Sequence, residues 1–450
     1  MEVVADLHLH SKYSRAVSQN MILPTMANYA LQKGLDLLSA SDWTHPLWLK
    51  EIQLQLEESS EGLYRLKNVD DNRKKIQFIL SVEIASIYKQ GEKLRRIHNL
   101  VFVPNFAVAE KVNKELIRRG CNLNADGRPI IGISSKDLLS LLLAVDERIL
   151  LIPAHIWTPH FGIYGSASGF DSLEEAFGDM AKYIYGIETG LSSDPDMNWQ
   201  VDELNSRSIL SFSDAHSPAK MGRELTVFVS KNSANGKEQI AESITYEDIR
   251  LAIMNDEKSK LRVGYTVEFY PEEGKYHFSG HRNCQVVFGP EDIKEKGTTC
   301  PVCGRRLTEG VLLRVNQLAS STIVQTEEKL NSYGLKWYTH LKKKHPPYVK
   351  MVPLLEIIAE SLKVPVTSPK AIGLFSKLCT DVASEIQILL KTPTGEIAAV
   401  AGEKVADGIA RVRSGNITVL PGYDGEFGKV KIWEEEKAEE AVVPQLSLDI

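Results

Sequence analysis

The sequence predicts an α/β protein: a parallel β/α unit close to a barrel, then a small cysteine-bearing module, then a mostly helical C-terminal part. Three observations carry this. Seven short β-branched or Leu-rich runs alternate with amphipathic stretches before about residue 230. The chain's 450 residues are enough for two or three packed units. Cys284, Cys300 and Cys303 lie close together, whereas Cys121 and Cys379 are scattered.

The seven runs are Val3 to Leu9, Leu35 to Ala40, Ile76 to Ile84, Asn99 to Val103, Ile149 to Ala154, Tyr185 to Glu188 and Ser208 to Phe212. Helical patterns lie between them, such as Pro24 to Lys33 with Pro at a helix start, and Lys136 to Val145 behind the capping candidates Ser134 and Ser135. Thr245-Tyr246-Glu247-Asp248 resembles a capping box and opens a helix to about Asn255, which closes a first domain over residues 1–256. Residues 257–312 mix short strands with Gly turns around the cysteines. Residues 313–433 return to helical patterns, notably Pro353 to Leu362 and Glu396 to Val412. They end in a hairpin, Ile417 to Leu420 and Val430 to Trp433, around Asp424-Gly425. Residues 434–450 form an acidic tether.

The net charge of −6 is concentrated in that tail, where six acids face only Lys437. Residues 275–350 hold thirteen Lys or Arg against six acids, the footprint of a surface facing phosphates. The apolar runs fall well short of the roughly 20 residues a membrane helix needs. Met1-Glu2-Val3-Val4 has no basic segment leading into an apolar one, and five cysteines form no disulfide framework. A cytoplasmic protein without membrane contact is expected.

His8 and His10 stand at i and i+2 of a strand, so both face one side and can share a metal cluster. Later strands also end in metal-competent residues: Asp42 and His45, Glu83, His155, Glu188, and Asp214 with His216. Barrel enzymes build their sites at the carboxyl ends of strands. Imidazole and carboxylate together suit Zn, Mn or Fe, and paired ions activate water against a phosphate ester. Asp214 is the candidate bridging or water-orienting carboxylate, with Glu83 as the alternative.

In order, Asp6-Leu7-His8-Leu9-His10-Ser11, the Asp42/His45 segment, Val82-Glu83-Ile84, His98-Asn99-Leu100, Pro153-Ala154-His155 and Ser213-Asp214-Ala215-His216 resemble the motifs of the PHP (polymerase and histidinol phosphatase) superfamily. That resemblance implies a distorted seven-stranded β/α barrel with two or three divalent metals (Zn, Mn or Fe, with Mg as a further option). The implied ligands are His8, His10, Asp42 or His45, Glu83, His98, His155, Asp214 and His216, with Asp214, Glu83 and His155 as catalytic candidates. The chain departs from the pattern at Ala16, where many members carry His or Asp, and at Trp43, where the second motif continues Asp-His.

His281-Arg282-Asn283-Cys284 followed by Cys300-Pro301-Val302-Cys303 has two pairs at x-x spacing, a structural zinc pattern with His first; His277 is the alternative to His281. Basic and aromatic residues nearby, Arg282, Arg305, Arg306, Arg314, Trp337 and Lys342 to Lys344, suit contact with a nucleic-acid backbone and its bases.

The order of PHP domain, zinc module and helical tail carrying Pro353-Leu354-Leu355-Glu356-Ile357-Ile358-Ala359-Glu360 resembles the endonuclease Q family, and a bacterial member of it. Lys275-Tyr276-His277-Phe278-Ser279-Gly280 and Pro421-Gly422-Tyr423-Asp424-Gly425 belong to the same match. The resemblance implies a DNA repair endonuclease that uses metal-activated water to hydrolyse the phosphodiester 5′ to deaminated bases (uracil, hypoxanthine, xanthine) or abasic sites. The competing readings are a PHP phosphatase for a small phosphoester and a catalytically inactive DNA-binding adaptor. The last six residues resemble the peptide by which bacterial proteins dock on the sliding clamp, with Gln445, Leu446, Leu448 and Ile450 in its anchoring positions.

Overall fold

The first strand, Glu2–Asp6, runs through the middle of a thirteen-stranded mixed sheet in a computed structural model that describes residues 2–231, 244–320 and 324–433. It pairs in parallel with Leu37–Ala40, which pairs in parallel with Gln77–Gln90. The helix between the first two strands, Leu23–Lys33, has Pro at its start and Gly34 in the left-handed conformation at its end. That places a fixed-φ residue where no amide partner is needed and a glycine where φ is +82°. Ser134 caps the helix Ser135–Val145, and the Thr245/Asp248 capping box closes on the helix Tyr246–Ile253.

All seven anticipated strands are present, but their pairing is mixed. Gln77–Gln90 folds back on Lys93–Phe102 as one long antiparallel hairpin, with Gly91 at φ +60° in its two-residue turn. Lys93–Phe102 then pairs antiparallel with Leu150–Pro153. Gly186–Glu188 and Ser208–Leu210 form a separate parallel pair. This pair is tied in by the Ile156 amide donating to Glu188 O and by the isolated bridge from Leu9 to Ala215.

On its other side the first strand meets Leu225–Ser230, then Leu261–Glu268, both antiparallel, and the sheet continues past residue 256. Three strands, Thr326–Leu330, Lys336–His340 and Tyr348–Lys350, extend it further, so the segment after residue 313 finishes the helix Val311–Leu318, continues as sheet and turns helical again at Leu354. The stretch Glu396 to Val412 is two helices, Thr394–Ala401 and Glu403–Ser414, broken at Gly402, whose φ of +83° no helix interior accepts. The hairpin around Asp424-Gly425 forms between Thr418–Leu420 and Lys429–Lys431.

Two buried cations hold the helical tail in place. Lys33 Nζ donates to Glu385 Oε2 at 2.6 Å, while Glu385 Oε1 accepts the Leu354 amide. Arg413 donates to the carbonyls of Ile388, Leu389, Thr392 and Tyr333, filling acceptors left open at the end of helix Glu385–Leu390. Among the described residues no helix is long and apolar enough to cross a membrane.

Candidate functional site

The central strands bring seven of the nine anticipated ligands around one point. His8 and His10 follow Glu2–Asp6, and Glu83 lies within Gln77–Gln90. His98 sits on the hairpin partner of that strand, opposite Ala85. The hairpin explains why His98 lies inside its strand: the strand begins at the charged segment from Lys93, which carries no apolar signature. His155 follows Leu150–Pro153, and Asp214 and His216 follow Ser208–Leu210.

Three interlocking groups result, each with ligand atoms within 4.8 Å of one another: His8, His10 and Glu83; His10, Asp214 and His216; Glu83, His98 and His155. Glu83 Oε1 lies 2.5 Å from His98 Nδ1 and 2.9 Å from His155 Nε2. His10 Nε2 lies 2.9 Å from Asp214 Oδ1 and 3.6 Å from Glu83 Oε2. His8 Nε2 is buried without a hydrogen-bond partner and faces Asp214 Oδ1 and Glu83 Oε1 at 3.6 and 3.8 Å. A buried imidazole nitrogen left open among carboxylates is the arrangement a divalent cation completes.

Asp42, His155 and Asp214 have φ of +60°, +30° and +47°. Non-glycine residues hold such backbone only where surrounding contacts impose it, and the three all line this cluster.

The carboxylates and imidazoles set each other's charge. Burial raises the carboxyl of Asp214, but the facing His8 and His10 outweigh it and hold the group well below the usual range. Burial depresses His10, yet its hydrogen bonds to Asp214 and Asp42 bring it to about 9. Asp6, buried beneath the cluster, is pushed up to about 6 by burial despite accepting from Ser213 N–H and Oγ and from Gly222 N–H.

Asp42 and His45 both fall outside the three groups and differ in position. Asp42 backs His10, with Oδ1 at 3.4 Å from Nδ1 and Oδ2 accepting from Ser11 N and Ser14 Oγ. His45 instead sits at the start of helix Pro46–Gln55, its ring stacked on Tyr13 at 4.4 Å and outside all three groups. The Pro46 that follows fixes it there as the cap of that helix. Glu188 also supports the cluster from behind: Oε1 holds His8 Nδ1 at 2.8 Å and Oε2 accepts the His155 amide at 2.8 Å.

Two residues were not legible in the sequence. Arg128 Nη1 donates to Glu83 Oε2 at 3.1 Å, and Thr158 Oγ1 lies 2.9 Å from His155 Nδ1. Gly127 was the available signal for Arg128, since a Cβ there would fall 2.6 Å from Asp42 Oδ2. Only glycine lets that loop approach closely enough to deliver the guanidinium. A cavity of about 700 Å³ opens beside the cluster, lined among others by His98, Arg128, Phe161, Arg223, Tyr276 and Phe427.

A second group of candidate ligands also converges. His281 on strand Ser279–His281, Cys284, Cys300 and Cys303 bring four ligand atoms within 4.8 Å, and His281, rather than His277, completes the set. His277 is buried elsewhere, stacked against Phe278. The module's own core is Val286, Phe288, Cys300 and Leu307, too few side chains to hold a fold alone.

The basic candidates are not one surface. Arg282, Arg305 and Arg306 are exposed around the cysteines, with Arg306 paired to Glu309. Arg314 is engaged inward, donating to Tyr164 O, Phe170 O and Asp171, so it is not an open contact. Trp337 packs edge-on against Tyr265. Lys342, Lys343 and Lys344 lie on the loop before Tyr348–Lys350. Gln445, Leu446, Leu448 and Ile450 fall outside the described residues.

Comparison with known proteins places this arrangement. A crystal structure of endonuclease Q with a 27-mer duplex carrying an abasic lesion at its active site is 30% identical, with a TM-score of 0.79 over 99% of this chain and 100% of that one. The chain belongs to the endonuclease Q family. A second family structure, the lesion-specific endonuclease PfuEndoQ of Pyrococcus furiosus, is 29% identical with a TM-score of 0.79 over 97% of this chain and 96% of that one. The uncharacterised protein YqxK of Bacillus subtilis is 29% identical over 445 residues, 96% of this chain and 99% of its own length. The uncharacterised protein MJ0043 of Methanocaldococcus jannaschii is 30% identical over 276 residues, 61% of this chain and 31% of its own length. Residues 353–416 match the family model of the MJ0043 C-terminal domain.

Proposed function

We propose that this chain is a metal-dependent DNA repair endonuclease that hydrolyses the phosphodiester 5′ to a deaminated base or an abasic site. The observation that carries the reading is the three interlocking ligand groups beside an open cavity in a chain alignable end to end with a lesion endonuclease. His8, His10, Glu83, His98, His155, Asp214 and His216 would hold two or three divalent ions. Such ions supply Lewis-acid activation of water and charge stabilisation at the phosphate oxygens.

The chain's own residues do the rest. Asp42 and Glu188 orient His10 and His8 through Nδ1, turning each Nε2 toward the cluster. Arg128 stands between Glu83 and the cavity and meets an incoming phosphate. The cavity volume fits one extruded nucleotide, and Phe161, its ring tilted against His98 at 4.3 Å, offers it an aromatic wall. His281, Cys284, Cys300 and Cys303 would hold a structural zinc that keeps Arg282, Arg305 and Arg306 on a DNA-facing module. Residues 1–256, 257–312 and 313–433, with the central sheet running across both boundaries, then divide the work into cleavage, zinc-supported grip and support from the tail. On sequence alone, the terminal Gln445 to Ile450 peptide extends the reading to docking on a bacterial sliding clamp.

The test is Asp214→Asn on a duplex with a single abasic site. The neutral amide should abolish nicking while leaving duplex affinity within about threefold, because only charge at the cluster changes. Nicking at the parent rate by the variant, or faster turnover of a small phosphomonoester than of lesion DNA by the parent, rejects the reading.

A further inference from the structure

The end of the sheet opposite the ligand cluster carries a basic cleft that the reaction does not use. Ser208–Leu210 leads to Asp214 at one end and follows Arg207 at the other, seven residues or roughly 20 Å away along extended chain. Arg262 lies at that far end as well, since Leu261 pairs with Ser230 while Val229 pairs with Glu2, the start of the strand whose other end precedes His8. Between them opens a cavity of about 720 Å³ whose rim includes Lys343, Lys344, His345 and the rigid pair Pro346-Pro347.

Four permanent cations, Arg207, Arg262, Lys343 and Lys344, face this space and no carboxylate lines it. Among the described residues none of the four is ion-paired. Arg207 Nη2 donates to Ala181 O, but its Nε is buried without any partner. Arg262 Nη1 makes only a 3.4 Å contact with Val263 O. His345 is pressed down to about 4 by burial, His340 and Lys343, so it is neutral and holds Asn205 Oδ1 at 3.2 Å. The loop itself is fixed, because His340 Nδ1 accepts from the amides of both Lys342 and Lys343. Like charges crowded on a held loop without a counter-charge repel one another, and a polyanion with several oxygens relieves that repulsion.

We propose that this cleft is a phosphoanion-binding site distinct from the metal end, taking either the phosphates of a nucleic-acid backbone or a small polyphosphate. The proposal stands whether or not the metal end cleaves DNA, and nicking is not its readout.

The test uses the full chain and the charge-reversal variant Arg262→Glu/Lys343→Glu/Lys344→Glu, with two probes. Inorganic tripolyphosphate is titrated by calorimetry, and a labelled lesion-free duplex by anisotropy across a salt series. The parent should bind, and the variant at least about tenfold more weakly. If duplex binding weakens and the slope of log K against log salt falls by roughly two to three, the source is a nucleic-acid backbone. If only tripolyphosphate binding is lost, it is a small polyphosphate. Equal binding of both probes by parent and variant overturns the site. Should the triple variant fail to fold, Lys343→Gln/Lys344→Gln is read against the same outcomes.

Discussion

Glu188 holds two different parts of the cluster with its two oxygens: Oε1 takes His8 Nδ1 and Oε2 takes the backbone amide of His155, each at 2.8 Å. All three residues are buried, and His155 has a φ of +30° that this amide contact helps impose. A single carboxylate thereby sets the tautomer of one candidate ligand and the backbone of another.

Glu188→Gln tests that double role. The amide cannot act as a full acceptor at both positions, so His8 loses its fixed orientation. Metal affinity or nicking should fall by roughly 10- to 100-fold, the cost of losing a supporting contact behind a ligand. Metal content by mass spectrometry and nicking at saturating metal separate the two. A variant with parent values in both assigns Glu188 to packing alone.

The four-residue core of the cysteine module predicts dependence on its ion. Cys300→Ser should remove one equivalent of zinc, disorder the hairpin Ser279–His281/Val286–Phe288 and weaken duplex binding, while metal content attributable to the strand-end groups should not change. Metal analysis of the folded variant checks it, and unchanged zinc counts against the site.

Sequence patterns anticipated which side chains converge better than how the sheet pairs. His8 and His10 were legible because a two-residue period puts both on one face. His98 needed the Gln77–Gln90/Lys93–Phe102 hairpin, which the charged residues Lys93, Arg95 and Arg96 hide. Asp42 and His45 are equivalent by composition and differ only through the backbone turn that sends one inward. Arg128 and Thr158 come from loops with no pattern of their own. The strands after residue 313 are polar on both faces, as in Thr326–Leu330, so the helical periodicity of the tail dominated that region.

The Lys33–Glu385 pair predicts where the tail's stability resides. Glu385→Gln keeps an acceptor for the Leu354 amide but strands the Lys33 ammonium, 4% exposed, beside the Phe375 ring. Breaking a buried pair from one side costs about 3–5 kcal/mol, whereas Lys33→Met/Glu385→Leu together should return most of it. Urea unfolding of the two variants makes the comparison. A single variant as stable as the parent shows that water reaches the site.

Stability should also fall as the pH rises from about 4.5 toward 8 because of two buried carboxyls. Glu268 accepts from Ser211 Oγ and Thr189 Oγ1 but leaves Oε1 without a partner, and Glu224 leaves Oε2 without one. Burial pushes Glu268 up to about 8, and burial with the facing Glu268 drives Glu224 well above its ordinary range. A carboxyl raised in the folded state binds a proton that the unfolded chain has already released. Its contribution to stability is therefore full below about 4.5 and is lost as the pH rises to about 8. The loss is on the order of a few kcal/mol across that window. Glu268→Gln mimics the protonated form and cannot ionise, so it should flatten the decline between about pH 4.5 and pH 8 in urea titrations. Parallel pH profiles for parent and variant would place the titration elsewhere.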